Sequence, residues 1–194
     1  MFPYPPDSRP YRIVGLDPGT DTFGAACLDL DLGTKQLELV EVNTFSGEQL
    51  SRSLPYVAQV YGDRTARLMA HEQNLLGYFK YLQPHCIISE SPFLGRFPQA
   101  FAALTECVSA IRRAVMQYDG FMPLLVVDPP TVKLAVGVKG KGKTKDDVKD
   151  GLQKLIASGK LLNTVGVDID ALDEHSVDAI VVAYTRAEFI IANF

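Results

Sequence analysis

Apolar residues recur along this chain in two rhythms, and the elements change where the rhythm changes. Tyr11 to Asp17, Phe23 to Leu30 and Leu37 to Phe45 are β-type runs, parted by Pro18-Gly19-Thr20-Asp21 and Asp31-Leu32-Gly33-Thr34. Two short connections in succession predict an antiparallel three-stranded meander. From Arg64 to Tyr81 the positions Leu68, Leu75, Leu76 and Phe79 keep helical spacing, and Pro84 ends that helix. His85 to Glu90 reads as a short buried strand and Pro123 to Val127 as a fifth. Between them, Pro98 to Met116 is a long helix with Phe101, Leu104, Val108, Ile111 and Val115 on one stripe. Pro129 and Pro130 suit the first turn of a short helix through Val136, followed by a Gly/Lys loop. Asp146 to Ser158 and Asp173 to Ile191 are the last two helices, the latter with acidic residues in its first turn. The order β-β-β-α-β-α-β-α-α-α predicts an α/β fold, a mixed five-stranded sheet with helices on both faces.

Size and composition narrow the class. With 194 residues, 47% apolar and a mean hydropathy of +0.06, the chain can bury one sizeable core. We expect an irregular Pro-rich arm over 1–10 and a single domain over 11–194. No apolar stretch approaches the roughly 18 residues that span a bilayer, and the N-terminus has neither a basic start nor an apolar signal core. A soluble, cytoplasmic protein is expected. Cys27, Cys86 and Cys107 are odd in number, far apart and set among apolar residues. This pattern predicts reduced packing cysteines and argues against disulfides and zinc. The net charge of -4 argues against a generic nucleic-acid binder. That average hides a segregation, because Lys133, Lys139, Lys141, Lys143, Lys145, Lys149, Lys154 and Lys160 face only Asp146, Asp147 and Asp150 over one stretch. A charge run by itself reads as a solvated helix face. Its interleaving with Gly137, Gly140 and Gly142 suggests a loop that binds phosphate.

Four polar residues sit where polarity is costly. Asp17 closes Ile13-Val14-Gly15-Leu16, Glu90 closes Cys86-Ile87-Ile88-Ser89, and His175 and Asp178 precede Ala179-Ile180-Val181-Val182-Ala183. A charge beside so much apolar surface neutralises, pairs or ligates a metal. Singly each has an ordinary reading: Asp17 as a turn residue, Glu90 as a loop carboxylate, His175 and Asp178 as a local pair on one helix face. Together they make a site, provided that the first strand is central, the Glu90 strand lies beside it and the last helix crosses that end of the sheet. Three carboxylates and an imidazole suit hard divalent ions such as Mg²⁺, with Mn²⁺ as substitute. A pair of ions roughly 4 Å apart would serve in-line phosphodiester hydrolysis.

Ile13-Val14-Gly15-Leu16-Asp17-Pro18-Gly19-Thr20 with Gly24 downstream, the strand ending in Glu90, and the helix opening His175-Ser176-Val177-Asp178-Ala179 resemble the RuvC family of Holliday junction resolvases. Pro130-Thr131-Val132-Lys133 through Val136-Gly137, then Lys145 and Val148, is similar to that family's lysine-bearing region. The resemblance spans about residues 11 to 190. It implies an RNase H-like fold and a homodimer that makes paired symmetric nicks in a four-way DNA junction, leaving 5′-phosphate and 3′-hydroxyl ends. By the same resemblance Asp17, Glu90, His175 and Asp178 are the catalytic, metal-binding set, with His at a position that is Asp in some members. Lys145 joins them in catalysis, Lys133, Lys139, Lys141, Lys143 and Lys145 contact DNA, and Phe93, with Phe97 as a nearby substitute, is the aromatic inserted near the crossover.

The chain departs from the family pattern in three places. The Gly/Lys loop is one residue longer, which lets Lys143 take the role of Lys145. The stretch from Phe45 to Arg64 and the Pro-rich arm have no counterpart, which suggests a phage-encoded or divergent member acting in DNA recombination or repair. Three alternatives stay open at this point. They are a branched-DNA nuclease of broader taste, a sugar-kinase or Hsp70-like ATPase sharing the Asp17-Pro18-Gly19-Thr20 hairpin, and a non-catalytic module that binds branched nucleic acid.

Overall fold

In a computed structural model, residues 10–94, 97–139 and 145–193 are described, the side chain of Lys145 excepted. Five strands, β1 (Tyr11–Asp17), β2 (Thr22–Leu30), β3 (Leu37–Ser46), β4 (Cys86–Glu90) and β5 (Leu124–Val127), form one sheet in the order β3-β2-β1-β4-β5. The first three make the expected antiparallel meander, while β4 runs parallel to β1 and β5 parallel to β4. Parallel neighbours need a crossover, and two long helices provide it: α3 (Asp63–Leu82) leads into β4 and α4 (Pro98–Tyr118) into β5.

Because strand side chains alternate, each strand divides its residues between two cores. Val14 and Leu16 of β1, Phe23, Ala25 and Cys27 of β2 and Ile87 of β4 pack with Leu75 and Phe79 of α3 and Val108, Ile111 and Val115 of α4. The opposite set, Ile13, Ala26, Leu28, Cys86 and Ile88, packs under α7 (Glu174–Asn193). On that side α5 (Pro129–Ala135) and α6 (Lys145–Ala157) contribute Val132, Val148 and Leu152. The same alternation puts Gly15, Asp17, Gly24 and Glu90 on the α7 side.

Two helices escaped the periodicity reading, α1 (Gly47–Ser51) and α2 (Pro55–Tyr61), within the stretch that has no family counterpart. Both are shorter than two turns and α2 buries no residue, so there is no apolar stripe to detect. The local signal is a cap, since the Ser46 side chain accepts from the Gln49 N–H. The outer edge of β3 is covered rather than open. Leu39 N–H donates to the Leu162 carbonyl and Leu162 N–H to the Leu37 carbonyl, both at 2.8 Å.

All three cysteines are buried and free. Among the described residues no helix is long and apolar enough to cross a membrane. The Pro-rich arm falls outside the described residues apart from Pro10.

Candidate active site

The position of α7 decides the site, and two glycines decide the position of α7. A Cβ on Gly15 would come within 2.4 Å of both the Ala179 carbonyl oxygen and the Ala183 nitrogen, and one on Gly24 within 2.1 Å of the His175 carbonyl oxygen. The helix backbone therefore lies directly on β1 and β2, closer than any side chain would permit. Ala179 and Ala183 complete this contact, and both are fully buried.

This seating brings the first turn of α7 over the C-terminal ends of β1 and β4. Register pairs Leu16 with Ser89, which places Asp17 and Glu90 side by side at the ends of two parallel strands. Asp17 is 8% exposed, and its Oδ2 is 2.6 Å from the Nδ1 of His175. With Nδ1–H donating to the carboxylate, the imidazole turns Nε2 outward, where Glu174 Oε1 lies at 3.7 Å. The hydrogen bond to Asp17 raises the His175 pKa above the usual imidazole value.

Glu90 carries the electrostatic signature of the site. Burial first, then the neighbouring charges of Asp17 and Asp178 and a hydrogen bond with Asp17, push its pKa up to about 8. Lys133, exposed on α5, opposes the shift and so lies within electrostatic reach. All four sequence-predicted acidic and imidazole residues are thus brought to one end of the sheet.

The turn that follows Asp17 is held from the other face. His71 of α3, 2% exposed, has its Nε2 3.1 Å from the Thr20 carbonyl oxygen. Burial lowers its pKa, so at neutral pH it is a neutral donor to that carbonyl. Gly47 N–H donates to the Asp21 carbonyl at 2.8 Å, and the Asp21 carboxylate pairs with Arg67. Nothing in the sequence rhythm marked His71, although a histidine inside an apolar helix face is the available signal.

Whether the donors suit a divalent ion is tested by Glu90. Burial and the charges of Asp17 and Asp178 make ionisation of Glu90 costly, and without a cation Glu90 answers by holding its proton up to about pH 8. Among the described residues no three His, Cys, Asp or Glu side chains already stand as a finished ligand set. They satisfy one another instead, His175 on Asp17 and Asp17 on Glu90. Oxygen donors with surplus negative charge and one imidazole are the donor types a hard cation takes, and such an ion would replace the proton on Glu90.

Phe93 and Phe97, in the connection between β4 and α4, are 62% and 72% exposed. Lys139 is exposed at the edge of the Gly/Lys loop. Lys141 and Lys143 lie outside the described residues, and Lys145 opens α6. Lys149 points elsewhere, donating to the carbonyls of Asp170 and Leu172, both at 2.9 Å.

The same architecture recurs in solved structures. Thermus thermophilus RuvC, determined in complex with a Holliday junction substrate, superposes over 94% of this chain and 95% of its own, with a TM-score of 0.64 and 17% identity. The chain has the fold of RuvC. The yeast mitochondrial Holliday junction resolvase matches with a TM-score of 0.64 at 13% identity, over 97% of this chain and 84% of its own. A fowlpox virus resolvase, solved with Holliday junction DNA, matches with a TM-score of 0.54 at 12% identity, over 93% and 99%. No family model and no curated protein matches the sequence. The RuvC-like fold expected from the motifs is thus met in three-dimensional structure, at 12 to 17% identity.

Proposed function

We propose that this protein is a structure-selective endonuclease that resolves four-way DNA junctions by hydrolysing phosphodiester bonds, with Mg²⁺ or Mn²⁺ as cofactor. One observation carries the reading: Asp17 and Glu90 end adjacent parallel strands, with His175 on Asp17 at 2.6 Å and Asp178 within electrostatic range of Glu90. Clustered carboxylates repel a phosphate backbone, so a surface meant only to bind DNA gains nothing from them. The near-complete overlap with junction resolvases favours the same reading. It also stands against an ATPase fragment, because the whole length is used.

Asp17, Glu90, His175 and Asp178 would hold the ions. When bound, such ions stabilise the attacking water and the departing 3′ oxygen of an in-line displacement, leaving 5′-phosphate and 3′-hydroxyl ends. The chain's own residues do the rest. Asp17 fixes the His175 ring through Nδ1, and Nε2, with Glu174 Oε1 at 3.7 Å, is the nitrogen that would meet an ion. Glu90, held protonated to about pH 8 by burial and its neighbours, would have to lose that proton to hold an ion, so binding and deprotonation would be coupled. Lys133, within electrostatic reach of Glu90, would supply positive charge toward the phosphate, with Lys145 at the start of α6 or Lys143 of the Gly/Lys loop. Phe93 and Phe97 offer exposed rings for unstacked bases at the crossover.

Paired nicks require two such sites at a fixed separation, which a two-fold homodimer provides. On α4, Val108, Ile111 and Val115 are committed to the monomer core. Phe101 and Leu104 are only half-buried and remain for the partner. The decisive experiment is cleavage of a mobile four-way junction, a fork and a linear duplex in Mg²⁺ and in Mn²⁺. Symmetric cuts in the junction alone support the proposal. Equal cutting of the fork points to a broader branched-DNA nuclease, and binding without cutting overturns the enzymatic reading.

A further inference from the structure

We propose that Thr44 and Asp173 are positioning residues that set the rotation of α7 about its own axis, and with it the placement of His175 and Asp178. The inference rests on the nuclease reading for its catalytic consequence, but not for its geometry. A helix bedded on Gly15 and Gly24 lies on a smooth surface, since neither position has a side chain to interlock with it. Ile13, Ala26, Leu28, Cys86 and Ile88 pack under α7 and hold it along its length, and at the glycine bed the added hold comes from the flank.

Thr44 pairs with Gly24 across the β2–β3 ladder, so its hydroxyl rises beside the smooth bed, on the α7 side. Its Oγ1 donates to Asp173 Oδ2 at 2.7 Å and lies 2.6 Å from Ser176 Oγ. Asp173 in turn accepts from the Ser176 N–H at 2.9 Å through Oδ1 and from the Ser176 hydroxyl at 3.2 Å through Oδ2. Ser176 is 3% exposed and anchors the triangle from the buried side, while Thr44 and Asp173 reach it from the surface. Asp173 is therefore more than a helix cap. One oxygen satisfies the helix N-terminus while the other ties it sideways to the edge strand. The segment just before it is fixed as well, by Lys149 on the carbonyls of Asp170 and Leu172. Loss of the lateral tie leaves the cap intact and lets the first turn roll, carrying His175 off Asp17.

Thr44→Val tests this without removing the cap, since valine keeps the β-branched shape that strands accept. Thr44→Ser is the conservative control. The chain has three histidines, so the His175 ring can be followed by imidazole ¹H–¹⁵N spectra of the metal-free protein and assigned with His175→Gln. We expect the hydrogen-bonded Nδ1–H signal of His175 to shift or broaden in Thr44→Val and to return in Thr44→Ser. Junction cleavage should fall about fivefold in the valine variant, the size set by one solvent-exposed hydrogen bond, with KM for the junction unchanged. An unmoved His175 signal in folded Thr44→Val overturns the positioning role whatever the cleavage rate. A wild-type protein that cuts no junction, while valine still displaces the signal, leaves the positioning role standing and removes the nuclease reading.

Discussion

His175 Nδ1 and Asp17 Oδ2 are 158 residues apart in the chain and 2.6 Å apart in space. Each depends on the other, because the carboxylate selects the imidazole tautomer and the imidazole satisfies a carboxylate that is nearly buried. Asp17→Asn should keep the fold and junction binding in Ca²⁺, since the amide is isosteric. Cleavage in Mg²⁺ should fall about a hundredfold or more, because even residues that merely orient a metal ligand reach that cost. The same variant should return the His175 pKa toward the ordinary imidazole value. Gel shift, cleavage and an NMR titration check the three outcomes, and full activity would remove Asp17 from the site.

Glu90 predicts an inverted pH dependence for the metal-free protein. Its folded pKa of about 8 lies above the ordinary glutamate value of 4.5, so the native state holds a proton that the unfolded chain releases between these values. The contribution to stability is therefore complete below the unfolded pKa and is lost as pH rises from about 4.5 to about 8. His175, also raised, acts in the same direction near the upper end of that window. Thermal melts without metal should show Tm falling across this range. Glu90→Gln should flatten the slope, leaving the smaller part due to His175. Added Mg²⁺ or Mn²⁺ should reverse the trend, since proton and cation compete for the same oxygens.

Gly15→Ala tests the seat of α7. The new methyl meets two backbone atoms at 2.4 Å, which cannot turn aside as a flexible side chain would. Overpacking against rigid backbone falls at the upper end of the usual range, about 3 kcal/mol. For a chain of this length that lowers Tm by roughly 10 °C. Differential scanning calorimetry checks the fall, and a Tm within 2 °C or so of wild type would show that the helix is free to lift.

The strands and long helices were legible because their apolar residues repeat at 2 or 3.6, and the expected boundaries hold to within about two residues. The central place of β1, a condition of the site reading, is met, with β2 on one side and β4 on the other. What stayed hidden was set by packing rather than period. Gly15 and Gly24 were visible as motif residues, but only the contact with Ala179 and His175 explains them. Thr44 looked like any exposed strand threonine, and α2 buries nothing that could make a pattern. His175 and Asp178 were found from their spacing, yet the hydrogen bond that ties His175 to Asp17 is a property of how the helix lies on the sheet.

Two lysines of one basic stretch carry opposite predictions. Lys133 is exposed and within reach of Glu90, so Lys133→Ala should leave Tm unchanged while slowing cleavage. If it contacts a phosphate, the variant also reduces the salt slope of junction binding by about 1. Lys149 spends its ammonium on two backbone carbonyls, and Lys149→Met keeps the aliphatic stem but leaves both acceptors without that donor. Tm should drop by about 4 °C, from roughly 1 to 1.5 kcal/mol of lost hydrogen bonding, with the salt slope of binding unaltered. Melting curves and binding isotherms at several salt concentrations separate the two. A reduced salt slope in Lys149→Met would place that ammonium on DNA instead of on the approach to α7.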